Sequence, residues 1–77
     1  MHISVKILRR KYLPLVVTED NTIKDIKSRI EDKENIDTNK QSLFYEGKPL
    51  ENERTLEDYM ITKDATLYLY LRGNKKG

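Results

Sequence analysis

Thr22-Ile23-Lys24-Asp25-Ile26-Lys27-Ser28-Arg29-Ile30-Glu31-Asp32-Lys33-Glu34 is the stretch that decides the fold of this chain. Its apolar residues recur at helical spacing. Ile23, Ile26 and Ile30 make a narrow stripe, while Lys24, Lys27, Arg29, Glu31 and Asp32 cover much of the remaining surface. The start is marked chemically. The Thr22 hydroxyl caps the first turn, and the Asp25 carboxylate, three residues on, reaches back to the cap. Asn35 tolerates the left-handed conformation that stops a helix. The spacing therefore predicts one helix over about residues 23–34. Glu31, Asp32 and Glu34 near its end oppose the helix dipole, each costing about a few tenths of a kcal/mol.

Outward from the helix, both flanks alternate. Upstream, Ile3, Val5 and Ile7 share one face and His2, Ser4 and Lys6 the other. After Leu8-Arg9-Arg10-Lys11 the alternation resumes with Leu13, Leu15 and Val17. Two period-two runs joined by a short polar link read as a β-hairpin. Pro14 has no amide proton, so the second strand is an edge with Pro14 turned away from the ladder. Downstream, residues 35–40 are polar and turn-like. Leu43-Phe44-Tyr45 is a short strand, and Glu46-Gly47-Lys48 is a turn whose glycine supplies a positive φ. Leu50 returns inward. Thr55-Leu56-Glu57-Asp58 repeats the hydroxyl-x-x-acid pattern before a short helical turn, and Tyr59 and Ile61 are apolar anchors. The last strand, Thr66 to Arg72, alternates Leu67, Leu69 and Leu71 with Tyr68, Tyr70 and Arg72. One striped helix and several one-sided strands pack most economically as an α+β roll, a mixed sheet on one helix. The leucines of the last strand place it centrally, beside the first.

Composition narrows the function. Seventy-seven residues form one domain, which buries only about 60% of its unfolded surface and has no interdomain cleft. We read residues 1–72 as the domain. Residues 73–77, without an apolar side chain, are expected to be a mobile tail. The chain has no cysteine, which removes disulfides, thiolate metal sites and cysteine nucleophiles. His2 is the only histidine, so neither a zinc set nor a Ser-His-Asp arrangement is expected. No enzyme activity and no cofactor are expected. Fifteen basic against thirteen acidic side chains leave a charge of +2. Arg9-Arg10-Lys11 and Lys75-Lys76 are basic, but with acids elsewhere and no basic face, nucleic acid is not an expected partner. No run reaches the roughly 20 apolar residues of a membrane span. The N-terminus lacks a signal-peptide core. A monomer of the cytoplasm, the nucleus or both is expected.

Residues spread along the chain resemble the ubiquitin family. They are Met1, Ile3, Val5-Lys6, Leu8, Lys11, Thr22-Ile23, Lys27, Ile30, Asp32-Lys33-Glu34, Ile36, Gln41, Leu43, Gly47-Lys48, Leu50-Glu51, Arg54-Thr55-Leu56, Asp58-Tyr59, Ile61, Lys63, Thr66-Leu67, Leu69 and Leu71-Arg72. The resemblance covers about residues 1–72 and implies the β-grasp form of the roll. It also implies partners: ubiquitin-binding domains or proteasome receptors, met by one face of the sheet. Alternation turns Phe44, Tyr68 and Tyr70 outward. In the implied fold they join Leu8 in an apolar-aromatic patch rimmed by Lys6, Gly47, Lys48 and Arg72. Here Phe44 replaces an aliphatic residue, Tyr68 and Tyr70 replace a histidine and a valine, and Ser42 replaces a basic residue.

The alternative implied by the resemblance is a covalent modifier, handled by activating and conjugating enzymes and joined to target lysines through a C-terminal glycine. Ubiquitin ends in Leu-Arg-Gly-Gly. This chain has Leu71-Arg72-Gly73 followed by Asn74-Lys75-Lys76-Gly77, with no Gly-Gly pair. Gly77, or Gly73 after processing, is the candidate terminus. Lys6, Lys11, Lys27, Lys33, Lys48 and Lys63 match positions that accept further ubiquitin, whereas Arg29 stands where another lysine would be. Arg10, Asn35 and Glu53 replace family glycines. A positive φ at Arg10 or Glu53 would store strain of about 1–2 kcal/mol.

Overall fold

The computed structural model describes residues 1–7 and 11–72. Five strands and one long helix follow in the order β1 (His2–Ile7), β2 (Lys11–Val16), α1 (Ile23–Glu34), β3 (Gln41–Tyr45), β4 (Lys48–Pro49) and β5 (Thr66–Leu71). Short 3₁₀ turns lie at Thr38–Lys40 and Glu57–Tyr59. The strands form one mixed sheet in the order β2-β1-β5-β3-β4. β1 and β5 run parallel at its centre, and the other neighbours are antiparallel. This is the β-grasp α+β roll, with the last strand central beside the first.

The helix forms where its sequence directs. The Thr22 hydroxyl accepts from the Asp25 amide at 3.1 Å, and the Thr22 amide donates to the Asp25 carboxylate at 2.9 Å. That amide holds the Asp25 carboxyl below the usual carboxylate range. Asn35 closes the helix at φ 58°, its amide donating to the Glu31 carbonyl. Thr55 and Asp58 exchange the same pair of bonds before the second 3₁₀ turn, at 2.9 and 3.1 Å. The two capped turns are tied together. The Ile23 amide donates to the Arg54 carbonyl, and the Leu56 amide to the Asn21 carbonyl.

Ile23, Ile26 and Ile30 are fully buried against Ile3, Val5, Leu15, Leu43, Leu56, Leu67 and Leu69, each contributing about 1.5–3 kcal/mol of transfer free energy. Two polar residues join this core. Gln41 is 1% exposed, its amide nitrogen donating to the carbonyls of Lys27 and Ile36. Lys27 is the other.

Both border strands of the sheet carry a proline. The Met1 ammonium donates to the Val17 carbonyl, and the Val17 amide to that of Met1. That exchange makes the odd-numbered positions of β1 the hydrogen-bonded ones. Pro14, opposite Ser4, falls between them, with its nitrogen toward the free edge. The sequence placed it there. On the far border the Leu50 amide donates to the Leu43 carbonyl, so Pro49, opposite Phe44, is the outward position of β4. Arg29 adds to the protection of β2 by donating from the helix to the Val16 carbonyl.

Two expectations are corrected and one open condition is answered. Leu71 is 51% exposed despite its inward parity: it ends β5, where no described element covers that face. Lys27 does not belong to the solvated face of the helix. With Ile23, Ile26 and Ile30 it completes the buried stripe at 8% exposure, its aliphatic stem suiting that position. Glu53 carries no left-handed strain. Among the described residues, non-glycine positive φ falls instead at Asn35, Glu46, Met60 and Asp64. Arg10 lies outside the described residues, as do the tail at 73–77 and the link at Leu8.

Candidate functional site

The outward face of the sheet is built by the alternation that fills the core. β3 and β5 pair with Phe44 opposite Tyr68 and Ser42 opposite Tyr70. The diagonal neighbours Phe44 and Tyr70 meet edge to face, with ring centroids 5.2 Å apart and planes at 76°. In this geometry the positive edge of one ring meets the negative face of the other, adding about 0.5–1.5 kcal/mol beyond buried area. The rings still face solvent: Tyr68 is 42% and Tyr70 44% exposed, and Phe44 is half-buried. Ser42, Phe44, Gly47, Tyr68 and Tyr70 line an open depression of about 570 Å³.

The turn beside it has a defined shape. Tyr45 pairs with Lys48 across the two residues Glu46 and Gly47, whose φ angles of 50° and 81° are both positive. This is the tight hairpin turn that matches strand twist. A Cβ on Gly47 would meet nothing within 4 Å, so glycine is required there by the backbone angle alone. On the opposite rim, the Arg72 guanidinium donates to the Ser42 hydroxyl at 3.2 Å, and its amide to the Lys40 carbonyl at 2.8 Å.

Of the residues expected at the patch, the structure brings together Phe44, Tyr68, Tyr70, Gly47 and Arg72. Lys6 stands opposite Tyr68 on β1. Lys48 is exposed on β4. Leu8, Gly73 and Gly77 lie outside the described residues. Among the candidate linkage lysines, Lys11, Lys33, Lys48 and Lys63 are exposed and Lys6 is half-buried. Lys11 pairs with Glu34 at 3.0 Å, relieving an acid that would otherwise oppose the helix dipole. Lys27 differs. Its ammonium donates to the Asn52 side-chain carbonyl at 2.8 Å. Burial, followed by the charge of Arg72, pushes its pKa down, with Glu53 acting in the opposite sense. Arg29 is committed to the β2 edge.

Sequence reasoning missed Tyr12. It is 58% exposed on the outward face of β2, and the Lys6 ammonium lies 4.5 Å from its ring centroid. The signal was available: Tyr12 has the parity of Pro14, opposite to the buried Leu13 and Leu15. No group of acidic and histidine side chains suited to a metal occurs among the described residues. No helix among them is long and apolar enough to cross a membrane.

Comparison with known proteins agrees with this architecture. The family model described as "Ubiquitin family" matches residues 3–74. The chain is 39% identical over 72 residues to ubiquitin-like protein 4A of Anoplopoma fimbria, covering 94% of this chain and 46% of that protein. It is 38% identical over 79 residues to ubiquitin-like protein 4A-A of Salmo salar, covering 100% and 51%. With ubiquitin-like protein 4A of Mus musculus it shares 33% over 76 residues, covering 99% and 48%. It thus spans about half the length of these relatives. On the family match, the sheet topology and the single capped helix, the chain belongs to the ubiquitin family.

Proposed function

We propose that this domain is a non-catalytic protein-binding module that presents the Phe44–Tyr68–Tyr70 face to ubiquitin-binding domains or proteasome receptors. The observation that carries this reading is three aromatic rings gathered over two adjacent strands around an open depression, with Tyr68 and Tyr70 exposed and Phe44 half-buried. Apolar surface concentrated this way and rimmed by polar groups is typical of docking sites. Aromatic side chains supply much of the energy where proteins meet. Membership of the family supports partners within the ubiquitin pathway. The test is an NMR titration of the isotopically labelled chain with a ubiquitin-binding helical peptide. Shifts are expected to cluster at Phe44, Gly47, Tyr68, Tyr70 and Leu8. A cluster on the helix side of the sheet would refute the site.

The covalent-modifier reading has its own assay: incubation with an activating enzyme and ATP. A reducible thioester that disappears on deletion of Gly77 would replace the non-conjugated reading.

A further inference from the structure

Folding separates the charges of this chain. None of the thirteen Asp and Glu side chains lies in a strand. All of them belong to the helix, the short turns and the loops, with Glu46 and Asp64 in turns that flank the sheet. The charged side chains of the strands are Lys6, Lys11 and Lys48. Composition set nucleic acid aside for want of a basic face, and the fold supplies one. Aromatic rings are interleaved with its charge. In register across the sheet, Tyr12, Lys6, Tyr68 and Phe44 stand side by side on β2, β1, β5 and β3. The Lys6 ammonium lies 4.5 Å from the Tyr12 ring centroid, a contact that holds a flexible side chain in place. Just past β5, Arg72 donates to Ser42 through Nε, and a guanidinium carries four further N–H donors. The ion pairs among the described residues, Lys11–Glu34 and Arg54–Glu51, involve neither Lys6 nor Arg72.

We propose that this face binds single-stranded nucleic acid, with bases stacked on Tyr12, Tyr68 and Tyr70 and backbone phosphates at Lys6 and Arg72. The inference goes beyond the docking role proposed above and does not rest on it. Two features together select the occupant. Cations without carboxylates among them suit a phosphate backbone, whose binding draws on charge neutralisation. Exposed rings on a sheet suit unpaired bases, each of which has a π-face to stack. A duplex keeps its bases stacked on one another and would use the charge alone. A second copy of this chain would bring like charges together. The spacing is compatible with a strand crossing the sheet. Neighbouring strands lie about 4.8 Å apart, so Tyr12 and Tyr68 are about 10 Å apart, with Lys6 beneath the backbone that links bases on the two rings. Phe44, meeting Tyr70 edge to face, supports that ring from the side.

The experiment measures fluorescence anisotropy of labelled oligouridine and its 2′-deoxy counterpart, each of about eight nucleotides, with the whole chain over a salt series. A duplex of equal length and an acidic peptide are the comparison ligands, and circular dichroism confirms that each variant folds. Single strands are expected to bind about tenfold more tightly than the duplex. Tyr12→Ala and Tyr68→Ala should each weaken them about tenfold, and Tyr12→Phe and Tyr68→Phe should keep the affinity, because stacking needs the ring and not the hydroxyl. Lys6→Gln should lower the slope of log affinity against log salt by about 0.7, the share of one phosphate on a single strand. Binding of either strand supports the proposal, and the tighter one identifies RNA or DNA as the source. Equal affinity for the duplex, or full affinity in Tyr68→Ala, reduces the contact to charge and overturns the proposal. Displacement by the acidic peptide at equal concentration assigns the face to protein carboxylates and does the same. Binding of the helical peptide without the oligonucleotide leaves the docking role standing and overturns this one.

Discussion

Replacing Asn52 by aspartate tests how the interior tolerates its lysine. Lys27 is 8% exposed, and its ammonium donates to the neutral Asn52 amide oxygen at 2.8 Å. That bond already involves one charge, which places it at about 1.5–3 kcal/mol. Asn52→Asp turns it into an ion pair, and because position 52 is exposed the added Coulomb attraction is at most about 1 kcal/mol. For 77 residues, the unfolding entropy of about 2.1 cal/mol/K per residue turns that into a rise in Tm of at most about 6 °C. Thermal and urea unfolding at pH 7 measure it.

The pH dependence gives an independent check. In the parent, burial lowers the Lys27 pKa below its ordinary 10.5. Between the folded and unfolded values the unfolded chain holds more protons, so this group makes stability rise with pH across that window. In Asn52→Asp the carboxylate favours the ammonium, and the slope flattens or reverses. Lys27→Met removes the titration and is expected to stay within about 1 kcal/mol of the parent, since the hydrogen bond lost is offset by the charge no longer partly desolvated. Equal stability of parent and Asn52→Asp at pH 7 would refute this reasoning. So would one alkaline slope shared by all three proteins.

Three further outcomes follow from the geometry. Thr22→Ala loses the reciprocal cap at the start of the helix and should cost about 1 kcal/mol in urea unfolding. The Asp25 carboxyl is lowered first by the Thr22 amide, so its contribution is present above the ordinary carboxylate range and lost as pH falls through the folded value; Asp25→Asn should remove that acid-side component from a series of unfolding curves. Gly47→Ala should destabilise by about 1 kcal/mol through backbone angle alone, and Gly47→Asn by less, as read by Tm.

Much of this fold was legible because local chemistry and long-range packing agree. Thr22, Asp25 and Asn35 mark the helix ends without reference to the rest of the chain, and the bounds they imply are those observed. Alternation in β1, β2 and β5 fixes which side chains enter the core, and therefore that Tyr68 and Tyr70 remain outside. What stayed hidden depends on contacts that composition does not encode. Lys27 reads as surface by type, but its position beside Ile26 and Ile30 gives it a buried place once the Asn52 carbonyl is near. Gln41 reads as the end of a polar turn, and only the carbonyls of Lys27 and Ile36 make its burial tolerable. Leu71 keeps the right parity and loses its cover because the strand outruns the layer beneath. Tyr12 belongs to the candidate site only through register with Lys6, which needs the hairpin and the parallel central pair together.

The prolines on the two borders also bear on how this domain behaves when crowded. Cross-β growth needs a continuous ladder of backbone donors on an accessible strand, and neither Lys11–Val16 nor Lys48–Pro49 offers one. A folded molecule is thus a poor template for a fibril of its own kind. Aggregation at high concentration should begin from opened chains, its lag time following the frequency of unfolding rather than the number of native encounters.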